Sequence, residues 1–332
     1  MDELALTTAC PHQQRRAFVS FLTGSGDYVK GAVALAKSLR AVNSAYPLIV
    51  AVTECVPVAH QRLLRREGCI VREVARVAPP GGGCGFEFAR EYYAVNFSKL
   101  RIWQFDDFDK LVYLDADMLL FQNVDELFNS PPGTLSAVMD CFCAATPAIW
   151  HQSVPRYRPG YCQQVPDRLP WPRDAPKPAP YFNAGMLVFQ PSCAVFDDML
   201  RKLAEWPPTP MAEQDFLNRY FAGAYRPVPN RYNLVLAMLW WHPDKVDVSS
   251  VKNVHYCAKG SKPWDFNPSA PHMDLPIVRE LVAHWLEIYG SDPASGAIDG
   301  LETFSAAAIA EAEMQLSAAV QQEVVPGGIM AG

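Results

Sequence analysis

Between residues 17 and 74 the chain alternates between two hydrophobic rhythms, and that alternation restricts the fold more than any other feature. Ala17-Phe18-Val19-Ser20-Phe21-Leu22 and Leu48-Ile49-Val50-Ala51-Val52 are short apolar runs, as expected of strands buried on both faces. Between them, residues 28–42 place Val29, Ala32, Val33, Leu35, Ala36 and Leu39 at helical spacing. A second helix at about 57–67 and a strand at 69–74 continue the pattern. Strands alternating with helices predict βαβ units, a Rossmann-like, mostly parallel central sheet flanked by helices, and an α/β fold. Ligands bind such sheets outside the carboxyl ends of the strands. The turn Thr23-Gly24-Ser25-Gly26-Asp27 sits at one such end, although it lacks the full spacing of a dinucleotide fingerprint or a P-loop.

A second such end carries charge. Leu111-Val112-Tyr113-Leu114 leads into Asp115-Ala116-Asp117, and Met118-Leu119-Leu120-Phe121 restores the apolar run at once. Two uncompensated carboxylates in that context are costly to bury, so they call for a counter-cation. A hard divalent metal with oxygen ligands is the natural one, and it would in turn hold a diphosphate. On a continuous strand the two Asp would share one face, and at its frayed end both could reach one ion. A surface turn that happens to hold two Asp is the competing reading, since Asp favours turns.

Further along, Pro79-Pro80-Gly81-Gly82-Gly83 reads as a flexible insert, and 86–105 as a helix carrying Arg90, Lys99 and Arg101. Residues 147–180 are rich in Pro, Arg, Tyr and Trp, too Pro-rich for a helix and too aromatic for disorder. They read as an ordered loop lying over an acceptor pocket. Residues 181–189 return to strand character, and 211–221 form a helix with Glu213-Gln214-Asp215 in its first turn, where simple capping would also suit them. Residues 232–241 are an apolar core segment. A short strand then reaches His255 and a basic loop with Lys259, Gly260 and Lys262, a segment suited to closing over phosphate. An amphipathic helix is expected at 272–289. The organisation expected is a disordered leader at 1–15, a single catalytic domain at 16–290 and an Ala- and Gly-rich tail at 291–332.

Composition excludes several classes. The net charge is -6 and the basic residues are dispersed, which argues against nucleic acid or an anionic membrane as a general partner. The apolar run at 234–241 is too short to span a bilayer, and residues 1–16 lack the apolar core of a signal peptide. A soluble, cytoplasmic, reducing setting is the expectation. Nine Cys, an odd number in a long chain, read as buried free thiols rather than a disulfide framework. Cys141-Phe142-Cys143 with His151 nearby suggests zinc, but no second Cys pair lies at ligand spacing, so that reading is set aside.

Taken together, Gly26-Asp27-Tyr28-Val29-Lys30-Gly31, Ser98-Lys99-Leu100-Arg101, Asp115-Ala116-Asp117, Phe182-Asn183-Ala184-Gly185, Glu213-Gln214-Asp215-Phe216-Leu217-Asn218 and His255 through Trp264 resemble the glycogenin-like glycosyltransferases of family 8, with a GT-A fold. Gly160 to Gln164, Pro208-Thr209-Pro210 and Tyr232 to Trp240 are similar to the plant galactinol synthases within that family. The resemblance spans about residues 17–290. It implies retaining, metal-dependent transfer of galactose from UDP-galactose to myo-inositol, giving galactinol and UDP. That is the first step of raffinose-family oligosaccharide synthesis, in carbohydrate metabolism and stress response. It also implies Mn²⁺, with Asp115, Asp117 and His255 as ligands. Tyr28 would contact the uracil; Lys99 and Lys262 the donor sugar or its diphosphate; Asn183, Glu213, Gln214 and Asp215 the reacting sugar. Thr23, Ala116, Ala184 and Gly260 complete the donor cradle.

Two departures stand out. The Ala-Pro-Ser-Ala-Ala-type tail lacks its Pro here, and Ala116 stands where the family often has Gly. The sequence allows a homodimer. The alternatives kept beside this reading are a self-glucosylating glucan primer and a non-catalytic nucleotide-sugar binding protein. For the chemistry, a metal and Lys262 would neutralise charge on the leaving phosphate, and His255 would supply a nitrogen ligand that suits Mn²⁺ better than Mg²⁺. A same-face transfer and a double displacement through Glu213, Gln214 or Asp215 both remain open, with Gln214 and Asp215 favoured as positioning groups.

Overall fold

A computed structural model describes residues 14–83, 86–141, 143, 161–166 and 171–291. The expected leader, tail and most of the 147–180 insert lie outside the described residues.

Seven strands form the main sheet: Arg16–Leu22 (β1), Leu48–Val52 (β2), Ile70–Glu73 (β3), Lys110–Leu114 (β4), Leu135–Met139 (β6), Phe182–Phe189 (β7) and Tyr225–Val228 (β8). Their order is β3-β2-β1-β4-β7-β6-β8. Pairing is parallel except that β7 runs antiparallel to both β4 and β6. A smaller sheet packs Met118–Leu120 (β5), Asn253–His255 (β10) and Leu234–Val235 (β9) in the order β5-β10-β9. The expected α/β architecture with a mostly parallel sheet is what the chain adopts.

The strand runs are continuous because both sheet faces are covered. Phe18, Val50, Val112 and Val188 face one apolar cluster, while Val19, Ile49, Leu111 and Leu187 face another. The first is covered by helix α1 (Tyr28–Ala41), whose Ala32, Leu35, Ala36 and Leu39 are buried. The other is covered by α3 (Cys193–Glu205) and α4 (Glu213–Tyr220), while α2 (Val58–Arg66) joins β2 to β3. A third cluster joins the small sheet to the four-residue α5 (Met238–Trp241) and to α6 (Pro276–Gly290).

Three expectations need correction. The helix expected at 86–105 is a 3₁₀ run over Glu91–Gln104. Its buried residues recur every third position, Phe97, Leu100 and Trp103 on one line and Lys99 and Ile102 on the next. That period matches three residues per turn rather than 3.6. The helix expected from 272 begins at Pro276, where a proline suits the first helical position. Finally, Asp115-Ala116-Asp117 does not lie on a continuous strand.

The last point positions the site. β4 ends at Leu114, and the chain turns tightly, with the Met118 N–H donating to the Asp115 carbonyl at 3.1 Å, before entering β5 of the other sheet. The two strands belong to different sheets, and the turn between them is a junction. Ala116 and Asp117 are buried there. The doublet is a turn between two strands, as the competing reading had it, but Asp117 is buried there rather than on the surface.

Candidate active site

The turn holds its shape because neighbouring backbone comes very close. Gly31 on α1 packs so tightly that an added Cβ would collide with the Ala116 carbonyl and the Trp264 ring. Gly185 on β7 has the same role on the other side, where a Cβ would strike the His255 imidazole and lie 2.9 Å from the Asn183 side-chain oxygen. Both glycines are absences of side chain that bring Asp115, Asp117 and His255 together.

Asp115, Asp117 and His255 present one ligand atom each within 4.8 Å of one another. His255 Nε2 lies 3.2 Å from Asp117 Oδ1 and 3.7 Å from Asp115 Oδ2. Its other ring nitrogen, Nδ1, is 3.2 Å from Asn233 Oδ1. An amide oxygen can only accept, so Nδ1 carries a proton, and in the neutral ring Nε2 turns its lone pair toward the carboxylates. Asn233 is itself oriented, since its Nδ2 donates to Asn183 Oδ1 at 2.9 Å. A lone pair facing two carboxylates is repulsive unless a cation sits among them, and two oxygens and one imidazole nitrogen fit a divalent metal. Asp115 is 30% exposed whereas Asp117 and His255 are buried, so the set is open on one side, where a ligand can add.

Two lysines flank the carboxylates. Lys262 donates to Asp117 Oδ2 and to the Tyr256 carbonyl at 2.7 Å. Burial alone would raise the Asp117 pKa, but the Lys262 ammonium beside it more than offsets this and holds the carboxyl well below the usual range. Lys99, fully buried, contacts Glu213 at 3.1 Å, Asp115 at 3.4 Å and the Ala184 carbonyl at 3.2 Å. Burial opposes its charge, yet Asp115 and Glu213 keep its pKa raised. Glu213 is pushed upward by burial and by Asp115, with Lys99 offsetting part of the shift. Tyr113 donates its hydroxyl to Asp115.

Beyond Lys99 the polar network continues without a break. Gln214 accepts from the Ala184 N–H at 2.9 Å and donates to Asp140 Oδ2 at 2.9 Å, and Asn183 donates to the same oxygen at 3.4 Å. Burial pushes Asp140 up to about 6, against the hydrogen bonds from Gln214, Asn183 and the Cys141 N–H. Asp215 accepts from the Tyr181 hydroxyl at 2.6 Å and from the Met211 N–H at 2.9 Å, so both of its oxygens are engaged in fixing the start of α4. Ala212 just before it has φ +50, an uncommon backbone for a residue with a Cβ, and it sets the angle at which Glu213 and Gln214 enter the site.

Tyr28 is 36% exposed beside the turn, and its ring stands 5.2 Å from Trp264 and 5.6 Å from Lys262 Nζ. Thr23 Oγ1 bonds Thr53 Oγ1 at 2.9 Å across the ends of β1 and β2. Gly260 has φ +83 and packs against Ala270, which explains the glycine as a backbone requirement of the loop. Thus the fold gathers Lys99, Asp115, Ala116, Asp117, Asn183, Ala184, Glu213, Gln214, His255 and Lys262 around one junction. Lys259 is exposed, and Asp215 faces Tyr181. Asp140 and Asn233 were missed. Asp140 carries the same signal as Asp115, an acid directly after an apolar strand. A cavity of about 530 Å³ beside Tyr181 and Asp215 is lined by Phe97, Pro178, Trp206 and Phe216, with none of the metal-facing residues.

Comparison with known proteins agrees with this geometry. Residues 19–267 match the family described as Glycosyl transferase family 8. Galactinol synthase 2 of Solanum lycopersicum is 52% identical over 278 residues, covering 83% of this chain and 80% of its own. Galactinol synthase 7 of Arabidopsis thaliana is 46% identical over 316 residues, covering 92% and 93%. Among solved structures, the glycosyltransferase GlyE of Streptococcus pneumoniae TIGR4 has a TM-score of 0.55 at 17% identity, covering 91% of this chain and 64% of its own. An active-site mutant of LgtC has a TM-score of 0.51 at 19% identity, covering 81% and 95%. These likenesses extend to the fold, which is that of the GT-A glycosyltransferases. With the family match over most of the chain and about half its residues shared with such relatives, the chain belongs to glycosyltransferase family 8, among the galactinol synthases.

Proposed function

We propose that the protein transfers galactose from UDP-galactose to myo-inositol with retention of configuration, giving galactinol and UDP, and that Mn²⁺ is its metal. The observation that carries the reading is the Asp115–Asp117–His255 set with Nε2 aimed at the carboxylates, in a chain about half identical to galactinol synthases. When bound, the metal would neutralise charge on the diphosphate as a Lewis acid. The imidazole nitrogen favours Mn²⁺ over Mg²⁺.

The chain's own groups divide the remaining work. Tyr28, partly exposed, would contact the uracil, and Thr23 lies at the adjoining strand ends. Lys262, paired with Asp117, is a mobile point charge that can swing onto the leaving β-phosphate. Lys99 bridges Asp115 and Glu213 and offsets the negative charge they present to the donor. Gln214, Asn183 and the Ala184 peptide form a rigid polar wall for the sugar, and Asp215 acts on it through Tyr181. In the transfer, the anomeric carbon–phosphate oxygen bond breaks and the carbon–inositol oxygen bond forms. The hydroxyl proton passes to the leaving phosphate oxygen. Glu213 is ion-paired and the oxygens of Asp215 are occupied, which favours this same-face route over a protein nucleophile.

Residues 16–290 are proposed to form a single catalytic domain. A cytoplasmic site suits the free thiols among the described residues, none of whose helices is long and apolar enough to cross a membrane. The test is UDP release from UDP-galactose with Mn²⁺, with and without myo-inositol, for the wild type and Asp117→Ala. Inositol-dependent release that the substitution abolishes is expected. Release indifferent to inositol would remove the acceptor, and no release with any nucleotide sugar would leave only a binding protein.

A further inference from the structure

Three of the chain's thiols, which the sequence scatters, meet a histidine in space. Cys141 and Cys143 follow β6, Cys162 lies beyond the 144–160 stretch, and His242 follows α5. Their three sulfur atoms and one imidazole nitrogen all lie within 4.8 Å of one another. Cys143 Sγ stands 3.2 Å from His242 Nε2, across a sequence separation of 99 residues. Cys162 and His242 are buried almost completely, Cys141 nearly so, and Cys143 is half-buried.

Ordinary core packing does not explain this grouping. Buried thiols act as small hydrophobes and gain little from sharing a pocket with an imidazole. A disulfide would use two sulfurs and leave a third with the histidine, and none of the three is disulfide-bonded. Four soft donors converging without a carboxylate match the Cys₃His set of structural zinc sites. Ligand atoms of a tetrahedral zinc lie roughly 3.5–4 Å apart, so a contraction of about an ångström at the widest pair would close the sphere. The surroundings fit as well: Leu236, Leu239, Trp241 and Met273 belong to the same apolar cluster and would exclude water.

We propose that Cys141, Cys143, Cys162 and His242 form a tetrahedral zinc site, sharing no residue with the Asp115–Asp117–His255 set. The ion ties the residues that follow β6, together with Cys162, to the segment that leaves the small sheet. It also braces the active site from behind, because the Cys141 N–H donates to Asp140 at 2.9 Å and Asp140 accepts from Gln214. Four protein ligands leave no position for substrate, so the ion is structural.

The test is metal content by mass spectrometry of the full chain, made in zinc-supplemented cells and passed through EDTA. One zinc per chain is expected to survive in the wild type and in Asp117→Ala, and to fall to near none in Cys162→Ser and His242→Ala. A mercurial thiol reagent should release it stoichiometrically to a coloured zinc indicator. Should those variants fail to fold, the wild type grown with cobalt decides: a thiolate-to-cobalt charge-transfer band with strong tetrahedral visible absorption supports the site, and its absence overturns it. Zinc-free wild type, zinc lost in Asp117→Ala but kept in Cys162→Ser, or a mass lower by one hydrogen pair with two thiols blocked would each overturn the proposal. None of these readings depends on which sugar is transferred.

Discussion

Two histidines near the small sheet keep opposite chemical company. His255, on β10, faces two carboxylates, with an open side and two lysines nearby. His242, after α5, faces three thiols inside an apolar cluster. The first set is hard, charged and incomplete, as a site must be if a diphosphate is to add a ligand and leave again. The second is soft, dry and complete. The same imidazole thus serves exchange in one place and permanence in the other, and its neighbours make the difference.

The comparison breaks most visibly at Asp117. Replacing it with Ala removes a metal ligand and the partner of Lys262, and should lower kcat/KM by about a thousandfold or more, on the order of 4 kcal/mol. Without added metal, thermal unfolding should change little beside that loss, since a buried lysine can deprotonate, whereas the stabilisation that added metal gives the wild type should vanish. Cys162→Ser reverses the pattern. It should cost on the order of 3 kcal/mol of stability, read as a lowered Tm, with metal-dependent transfer surviving at low temperature.

Asn233→Ala sharpens the comparison, because it leaves every ligand in place while freeing the His255 tautomer and removing one hydrogen bond to Asn183. The Mn²⁺ concentration giving half-maximal activity should rise roughly 10- to 100-fold with little change in Tm. An unchanged metal dependence would mean that the tautomer is held by something other than Asn233.

The smallest effect belongs to a surface pair. Arg72 and Asp107 lie 2.6 Å apart but are 31% and 42% exposed. The Arg72 hydrogen bond holds Asp107 below the usual carboxylate range. A depressed carboxylate pKa adds stability above its unfolded value of about 3.9 and loses it as pH falls through the folded value. Solvent screening keeps the gain under about 1 kcal/mol, so Asp107→Asn should alter urea midpoints slightly at pH 7 and not at all near pH 2. A large shift there would show that exposed and buried charge are not as unequal as the two histidine sites suggest.

Much of this was legible because it is local. Continuous apolar runs announced β1, β2 and β4, helical spacing announced α1, and an acid doublet after a strand announced Asp115 and Asp117. The 3₁₀ segment was not, because Phe97, Leu100 and Trp103 fit a helix nearly as well as a threefold line. Asn233 carries no pattern of its own and gains meaning only through His255, whereas Asp140 repeats the acid-after-strand signal of Asp115 but as a single acid, and its partner Gln214 lies 74 residues away. The thiol cluster was invisible for a different reason. His151 was the histidine close in sequence, whereas the sulfurs meet His242, which the loops and the small sheet fold back from 99 residues beyond Cys143.

The junction at Asp115–Met118 has one more consequence. The Asp115 N–H donates to the Gly185 carbonyl of β7 at 2.8 Å, whereas the Asp117 carbonyl accepts from the Tyr256 N–H beside β10 at 2.9 Å. Each acid is therefore moored to a different sheet. A cation gripped by both is a rivet across the seam, and its binding free energy is also cohesion between the two halves of the domain. At a hundred times its dissociation constant that amounts to about 2.7 kcal/mol. Loading the site and hardening the fold are, by thermodynamic linkage, one event.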